Sequence, residues 1–492
     1  MPICRRHFNL SLLGGASARL AFGLSTRPKL LVLVLLEQMR QDYWDSAAAQ
    51  FGPGGLRRIL LKGAHFPDCR HLASTFSAST IATLATGAWP AQHGIVADTW
   101  FDRASRSAVP ASQEALLATT LAAQVAAAGS PARTFVIGMD ATQSALFAGT
   151  PEARQFWMNP RGQFATLGIP PDWLVEFNSL KPLDNAHNAP WMAIGARPGA
   201  PPLRTLTYDA DHPRLFLDLF QASPLGQAAQ FELLARLIEK ERLGQRDTFD
   251  FVCMIVGSTA RLGYETGGRS PLMRQLVLHL DRQLEYLLGC LKNGPGENAF
   301  NLVLAGAHGV PPAPAAESRP RMAVPGESVA QTVDRALLAS GSGRVTRYLY
   351  PFLYLDIASS RDPEPVRRAA GYAALEHPAV AGFYTAGGFC STSDGWRERF
   401  SNSFHPTRSG DVMLSYRPEY VEDYGQRGGI SYGSLYNYDV RVPLCFYGPQ
   451  FPAAVFEAPV RSVDVAPTLA RAMGVAPPSS ADGRVLGEAF GE

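Results

Sequence analysis

The sequence predicts a three-layer α/β sandwich, in which helices cover both faces of a central sheet, with an inserted α/β cap. Three continuous apolar runs are typical of strands that are buried on both faces: KLLVLVLL at 29–36, FDFVCMIVG at 249–257 and FNLVLAGAHG at 300–309. Helical patterns separate these runs, and such strand–helix alternation indicates a mostly parallel sheet.

Length and composition narrow the class of protein further. A chain of 492 residues is longer than one compact core supports, which favours either a large α/β body with insertions or two bodies. Lys and Arg nearly balance Asp and Glu, giving a formal net charge of +2, so no basic surface for a nucleic acid is expected. No segment after the N-terminus reaches the roughly 18 apolar residues of a membrane span, so the sequence predicts a chain that does not cross a membrane.

Helices and further strands follow the first run in order. Helical spacing at 54–63 ends at Gly63, and a short Ser/Thr-rich helix is predicted at 79–87. The remaining predicted elements before the third apolar run are a helix at 114–129, a strand at 134–139, a long helix at 213–242 and a helix at 272–293.

The later part of the chain predicts the cap and a return to the core. A Pro/Ala-rich connector at 311–326 leads into an α/β pattern that ends near residue 405. Strands are predicted again at 410–416 and 442–448, followed by a helix at 463–474. The predicted domains are therefore a core over 29–310 plus 406–488, and a connector with an inserted cap over 311–405.

Residues 1–26 are predicted to be an export leader. Arg5 and Arg6 precede an apolar stretch and an A-x-A-type site at 16–18, and the R-R-x-F pattern resembles a bacterial twin-arginine signal. The expected location is the periplasm or the cell exterior. The alternative is a short tail that carries two arginines by chance.

Polar residues follow the buried strands at their carboxyl ends. Glu37 follows the first run, a turn follows Gly257, and Ala307 and His308 follow the third run. Because chemistry in open α/β sheets gathers at this edge, we expect these residues to lie together. The helix beginning near Ser77 is expected to present its N-terminus to an anion there.

Several ordered motifs resemble the alkaline phosphatase superfamily, in particular its branch of type I phosphodiesterases and nucleotide pyrophosphatases. They run from about residue 29 to 486: EQMRQDYWD at 37–45, TLATGAWPAQHGIVADTWFD at 83–102, YGSLYNYDVRVPLCFYGP at 432–449 and VDVAPTLARAMGV at 463–475. The resemblance implies an alkaline-phosphatase-like fold, two zinc ions and a Thr or Ser nucleophile between them.

The resemblance assigns the nucleophile to Ser77 and leaves few zinc ligands. Glu37 and His308 remain as candidate metal ligands, with Glu37 in place of an aspartate. The other ligand positions carry residues that do not suit zinc: Ala260, Tyr264, Ala307 and Tyr432. We therefore expect no bound cofactor, unless ligands are rearranged to hold two zinc ions.

The phosphate-binding positions of the family are also altered. Asp98 takes the place of an asparagine, and a Lys-x-Arg pair of the monoesterases falls on Asp140 and Thr142. Carboxylates at these places repel a phosphate group. Arg261, next to a missing ligand, is a candidate cation for the space of the missing zinc.

Structural roles are the alternatives for each candidate residue. Ser77 suits a helix N-cap or first turn. His308 suits a hydrogen-bonded histidine at a strand end. Glu37 suits a buried ion pair with Arg40, Arg261 or His308.

Three functions follow from these residues. The first is a catalytically inactive or strongly impaired relative of the phosphodiesterases, acting as a binding or scaffold subunit for an unidentified protein partner. The second is an active phosphoric ester hydrolase with Ser77 as nucleophile and rearranged metal ligands drawn from neighbouring loops, the candidates being Asp42, Asp98, Asp140 and His405. The third is a sensor that binds an anion near Ser77 without hydrolysing it.

Overall fold

A computed structural model describes residues 27–128, 132–311, 322–357, 360–392, 394–418, 420–423 and 432–492. The predicted leader at 1–26 and most of the predicted connector lie outside the described residues. None of the described helices combines the length and the apolar character that crossing a bilayer requires.

The strands in the described part of the chain are β1 (Leu30–Leu36), β2 (Ala64–Arg70), β3 (Thr99–Asp102), β4 (Ser107–Pro110), β5 (Arg133–Gly138), β6 (Arg154–Met158), β7 (Phe164–Thr166), β8 (Pro190–Trp191), β9 (Arg204–Thr205), β10 (Asp250–Val256), β11 (Phe300–Gly306), β12 (Met322–Val324), β13 (Val345–Leu349), β14 (Phe352–Leu355), β15 (Val380–Thr385), β16 (Val412–Tyr416), β17 (Tyr420–Glu422), β18 (Arg441–Tyr447), β19 (Ala454–Val455) and β20 (Val460–Arg461).

The α-helices of the same ranges are α1 (Gln41–Ala47), α2 (Leu56–Lys62), α3 (Ser77–Thr86), α4 (Pro90–His93), α5 (Leu121–Ala127), α6 (Ala141–Ala148), α7 (Asp172–Ser179), α8 (Pro182–Asn185), α9 (Pro213–Gln221), α10 (Pro224–Lys240), α11 (Ser258–Thr266), α12 (Pro271–Asn293), α13 (Gly326–Ala339), α14 (Glu364–Leu375), α15 (Asp394–Ser403), α16 (Asn437–Val440) and α17 (Val465–Met473).

The main sheet confirms the predicted sandwich. Its order is β19-β2-β18-β11-β1-β10-β5-β6-β7, with β20 also paired to β2. The three apolar runs form adjacent parallel strands, and Leu36 at the end of β1 pairs with Val256 of β10 and Gly306 of β11. The residues that follow these strand ends therefore lie at one edge of the sheet.

Two apolar layers sandwich this sheet because its central strand is buried on both faces. Leu30, Val32 and Leu36 of β1 join one hydrophobic core, which includes α10 and α12. Leu31 and Leu33 join a second core on the opposite face, which includes α3, α5 and α17. The predicted three-layer architecture is thus present, with one helical layer on each face of the sheet.

The cap is a separate four-stranded sheet with the order β13-β14-β16-β15. Helices α13 and α14 pack on it and share a third hydrophobic core with its strands. Strand β16 pairs with β14 and β15, so the run at 410–416 belongs to the cap and not to the core, where the sequence placed it. The chain returns to the main sheet at β18.

Two predicted helices are wrong in their extent. The pattern at 213–242 forms two helices, because Ser223 caps α10 through the backbone N–H groups of Leu225 and Gly226, and Pro224 takes its first position. In the described part of the pattern at 114–129, a 3₁₀ turn ends at Ala115 and the short helix α5 begins after Thr120. The Thr120 side chain accepts a hydrogen bond from the backbone N–H of Ala123 and so fixes this start.

Candidate active site

Glu37 and Ser77 form the centre of the candidate site. Glu37 directly follows β1 and is 1% exposed, because the strand ends inside the molecule. Ser77 is the first residue of α3, and its hydroxyl donates a hydrogen bond to Oε1 of Glu37. Phe76 occupies the N-cap position, so Ser77 is a first-turn residue whose hydroxyl is directed to the carboxylate rather than to capping the helix.

The second carboxylate oxygen of Glu37 contacts residues that follow two other strands of the sheet, β5 and β10. Its Oε2 accepts a hydrogen bond of 2.6 Å from Nε2 of Gln143. A Cβ atom on Gly257 would lie 3.2 Å from the same oxygen, so glycine allows the backbone after β10 to approach closely. Burial raises the pKa of Glu37 to about 7, with Asp140 adding to the rise and the Ser77 hydrogen bond opposing it. The carboxyl group therefore changes its charge near neutral pH.

His308 lies beside this pair, as the strand ends predict. Its Nε2 is 4.0 Å from Oε1 of Glu37, and its Nδ1 lies 2.8 Å from the carbonyl oxygen of Gly309. A proton on Nδ1 makes that contact, which leaves Nε2 unprotonated and without a hydrogen-bond partner among the described residues. Burial lowers the pKa of His308 to about 4, so the ring is neutral at physiological pH. This contact is in keeping with the alternative of a hydrogen-bonded histidine at a strand end, while Nε2 faces Glu37.

Asp98 and Tyr432 close the other side of Ser77. Asp98 is half-buried and accepts hydrogen bonds from the backbone N–H of Ala78, at 2.8 Å, and from the Tyr432 hydroxyl, at 3.0 Å. The Tyr432 ring stacks on His308 with 4.9 Å between ring centroids. Burial raises the pKa of Asp98, and these two hydrogen bonds oppose the rise. A tyrosine thus fills space where the resemblance places a histidine ligand.

Arg261 provides a positive charge at the open side of the site. Its guanidinium lies 3.9 Å from a carboxylate oxygen of Asp140 and 3.9 Å from one of Asp218. Asp140 itself caps α6 by accepting a hydrogen bond of 2.9 Å from the backbone N–H of Gln143. Arg261 also lowers the pKa of Glu37 through its charge, although this is a small contribution beside burial.

Of the three partners considered for Glu37, which are Arg40, Arg261 and His308, Arg40 is engaged elsewhere. Arg40 forms hydrogen bonds of 2.8 and 2.6 Å with Asp42 and one of 2.9 Å with the carbonyl oxygen of Val310. The guanidinium is therefore engaged next to its own helix. Hydrogen bonds from neutral groups, and not a cation in contact, hold the Glu37 carboxylate.

The donor set does not fit the zinc pair that the resemblance implies. Within the ranges that the structure describes, no three His, Cys, Asp or Glu side chains are grouped so that they could hold a metal ion. Glu37 and His308 are brought together, with Ser77 as a neutral third donor. Two strong donors and a hydroxyl fall short of the closed tetrahedral set that zinc prefers.

Two of the substitute ligands lie elsewhere. Asp42 pairs with Arg40, and the Nδ1 atom of His405 lies 3.2 Å from the hydroxyl of Thr407. Asp98 and Asp140 do lie near Glu37 and the start of α3, and the charge of Asp140 adds to the rise in the pKa of both Glu37 and Asp98. The arrangement is a partly exposed serine near carboxylates, with an arginine on the side of Asp140.

Sequence reasoning missed Gln143 and the role of Gly257. Gln143 lies in the first turn of α6, which follows β5, and β5 is parallel to β10 in the same sheet. Applying the strand-end rule to this fourth strand would have placed α6 at the site. The close approach of the Gly257 backbone to the Glu37 carboxylate has no sequence signature other than the glycine itself.

The mixed sheet between two helical layers, with a serine at a helix start beside a carboxylate at a strand end, is an alkaline-phosphatase-like fold, shared with solved structures of that kind. The family model described as type I phosphodiesterase / nucleotide pyrophosphatase matches residues 31–422. The chain belongs to this family, which confirms the resemblance in the sequence.

Curated relatives extend over nearly the whole chain. The alkaline phosphatase PafA of Elizabethkingia meningoseptica is 23% identical over 94% of this chain and 95% of its own length. The alkaline phosphatase PhoK of Sphingomonas sp is 27% identical over 94% of this chain and 91% of its own.

Solved structures share the fold. The crystal structure of wild-type PafA has a TM-score of 0.81 at 20% identity and covers 94% of this chain and 99% of that one. Murine ectonucleotide pyrophosphatase / phosphodiesterase 5 has a TM-score of 0.56 at 15% identity and covers 91% and 95% of the two chains.

Proposed function

We propose that the protein is a phosphoric ester hydrolase in which Ser77 is the nucleophile and Glu37 accepts its proton. The observation that carries the proposal is the hydrogen bond from the Ser77 hydroxyl to the buried Glu37 carboxylate. Curated relatives named alkaline phosphatases, which align with 94% of the chain, add support. The expectation of a catalytically inactive relative receives no support from these comparisons and becomes the second candidate.

The chemistry proceeds through a covalent serine ester. The Ser77 oxygen attacks phosphorus while its proton moves to Glu37, and the bond from phosphorus to the leaving oxygen breaks. The leaving oxygen takes a proton from solvent, and Glu37 releases its own proton. Water then attacks the phosphoserine as Glu37 takes the water proton and returns it to the Ser77 oxygen. No step runs through zinc, because the donor side chains among the described residues do not fit a site for two zinc ions.

The environment of Glu37 suits this role. A base works best when its pKa lies near the working pH, and burial brings that of Glu37 to about 7. Gln143 holds the second carboxylate oxygen at 2.6 Å and so fixes the direction of the first toward Ser77.

Turnover of aryl phosphates tests the proposal. Purified protein is assayed with 4-nitrophenyl phosphate and bis(4-nitrophenyl) phosphate, with Ser77→Ala as the control. Hydrolysis of at least one ester that Ser77→Ala abolishes, together with a covalent adduct on Ser77 detected by mass spectrometry, is the expected result. Absence of turnover with both esters, with and without added zinc, would overturn it.

A non-catalytic binding subunit is the second candidate, favoured by the donor set. The positions of the second zinc ion carry Ala260, Tyr264 and Tyr432, and the Tyr432 hydroxyl is bonded to Asp98. A chain that binds phosphate esters in a calorimetric titration but never hydrolyses them would support this candidate against the first.

We also propose that the protein works outside the cytoplasm. Support comes from the paired arginines and the A-x-A-type site within residues 1–26. Fractionation of cells that produce the full chain, compared with an Arg5→Lys/Arg6→Lys variant, tests this location, because the twin-arginine route requires both arginines. Equal distribution of the two chains would contradict it.

A further inference from the structure

We propose that the guanidinium of Arg261 binds the phosphoryl oxygens of the ester, and so supplies the positive charge of this site. The inference rests on the proposed hydrolase function and names the group that pairs with its anionic substrate. Its structural basis is the first turn of α11, which begins against Glu37 and carries Arg261.

The backbone sets this placement. The backbone N–H of Arg261 donates a hydrogen bond of 3.1 Å to the carbonyl oxygen of Gly257. A Cβ atom added to Gly257 would lie 3.2 Å from the Glu37 carboxylate, so the backbone of Gly257 lies close to that group. The turn that holds Arg261 is therefore anchored to a residue whose backbone lies close against the proposed base, on the carboxyl edge of the sheet.

The guanidinium is available for a ligand. Its two ion pairs, with Asp140 and Asp218, are each 3.9 Å long, and its side chain makes no hydrogen bond within the described residues. Arg133 behaves differently, since it donates to Asp250 at 2.8 and 3.2 Å and to the carbonyl oxygen of Glu241 at 3.0 Å. Arg133 is engaged in the structure, whereas the donors of Arg261 stay open in a side chain that is 33% exposed.

The site needs such a cation. Glu37 and Asp98 lie at the start of α3, the charge of Asp140 acts on both, and a phosphate ester brings further negative charge among them. Arg40 is engaged with Asp42, so it does not offset that charge. A guanidinium is planar and presents paired N–H donors that match two phosphoryl oxygens, which makes arginine well suited to this contact.

Asp140 and Asp218 compete with the ester for this guanidinium. Both are loosely paired and about half-exposed, so an incoming phosphoryl group displaces them at little cost. Removing the charge of Asp218 is therefore expected to strengthen anion binding. A purely structural role of Arg261 predicts no such gain.

Binding measurements separate this proposal from turnover. The parent is the Ser77→Ala chain, which binds without reacting, and the probe is bis(4-nitrophenyl) phosphate in a calorimetric titration. Adding Arg261→Ala is expected to raise Kd by about tenfold or more, and Arg261→Lys by about threefold, because lysine keeps the charge but loses the paired donors. Adding Asp218→Asn is expected to lower Kd by about twofold to fivefold.

The matched control is Arg214→Ala, which removes the same charge from an exposed position on α9, the helix of Asp218. It is expected to leave Kd within about twofold, and thermal melting verifies that each variant is folded. An Arg261→Ala variant that binds like the parent, a parent that binds nothing, or weaker binding after Asp218→Asn would overturn the proposal. Tight binding through Arg261 without hydrolysis by the unmodified chain would overturn the proposed function alone.

Discussion

The Ser77 hydroxyl donates a hydrogen bond to the Glu37 carboxylate, although the two residues are forty positions apart in the chain. β1 brings the carboxylate to the edge of the main sheet, and α3 begins directly beside it. A buried carboxylate needs a donor, and a nucleophilic hydroxyl needs a base. One contact meets both requirements, and the following predictions depend on it.

Ser77→Ala is expected to lower kcat for the better aryl phosphate ester by about 10³-fold or more, because among the described residues Ser77 is the hydroxyl that donates to the Glu37 carboxylate. Ser79→Ala is the matched control. Ser79 lies in the same helix, and its hydroxyl has no partner within the described ranges. Steady-state kinetics should give the control within about twofold of the parent. A Ser77→Ala enzyme with comparable kcat would contradict the assignment.

The pH dependence of kcat/KM should report the titration of Glu37. Activity is expected to rise with pH and to level off above about 7, because only the ionised carboxylate accepts the serine proton. Glu37→Gln should abolish activity. Glu37→Asp should keep a measurable activity that still increases with pH. A profile that is flat from about pH 5 to 9 in the parent enzyme would argue against Glu37 as the base.

Asp98→Asn is expected to strengthen binding of inorganic phosphate by about fivefold, because it removes a half-buried negative charge beside the first turn of α3. The amide oxygen still accepts from the Ala78 N–H. Asp172→Asn, an exposed position on α7, removes an equal charge and serves as control. Calorimetry or competition against an aryl ester measures the change, and equal affinities for the two variants would refute the electrostatic argument.

The cap contains a carboxyl group whose titration should affect stability. Burial raises the pKa of Glu422 to about 7, against hydrogen bonds from Tyr416 and Tyr348 that lower it. Between its ordinary pKa of 4.5 and about 7 the folded chain holds a proton that the unfolded chain releases. The free energy of unfolding contributed by this group is therefore full below 4.5 and falls as pH rises toward 7.

Glu422→Gln should reduce this slope, because the amide does not titrate. Urea unfolding at several pH values between about 4.5 and 8 measures it, and Glu327→Gln at the start of α13 is the control with an unchanged slope. The pKa of Glu37 is also raised, so part of the pH dependence of the unfolding free energy should remain in the Glu422→Gln variant. Identical slopes for Glu422→Gln and the parent would show that Glu422 does not titrate as described.

Metal analysis tests the donor set directly. Fewer than about two zinc ions per chain are expected after purification, and a chelator should leave the thermal unfolding midpoint unchanged, because the described ligands do not close two sites. Stoichiometric binding of two ions, lost with the chelator together with activity, would show that other donors assemble the pair.

The strand ends were predictable because parallel strands share their direction. Glu37 and His308 follow strands that the apolar runs mark clearly, and parallel pairing places both residues at one edge. Ser77 was expected beside Glu37 and His308 because it lies at the start of the predicted Ser/Thr-rich helix, which is α3 in the structure. By contrast, the break within 213–242 was hidden, because Ser223 and Pro224 start a new helix in a pattern whose apolar spacing continues across them.

The sequence by itself determined the α/β sandwich, its family and the meeting of Glu37, Ser77 and His308, because buried apolar strands and their polar ends are local patterns. Only the tertiary structure decided which partner each side chain takes. Asp98 bonds to Tyr432, and Arg261 extends between Asp140 and Asp218, since such contacts depend on the packing of elements that are distant in the chain. The same packing leaves β16 in the cap sheet, because a strand's apolar pattern does not specify the neighbour with which it pairs.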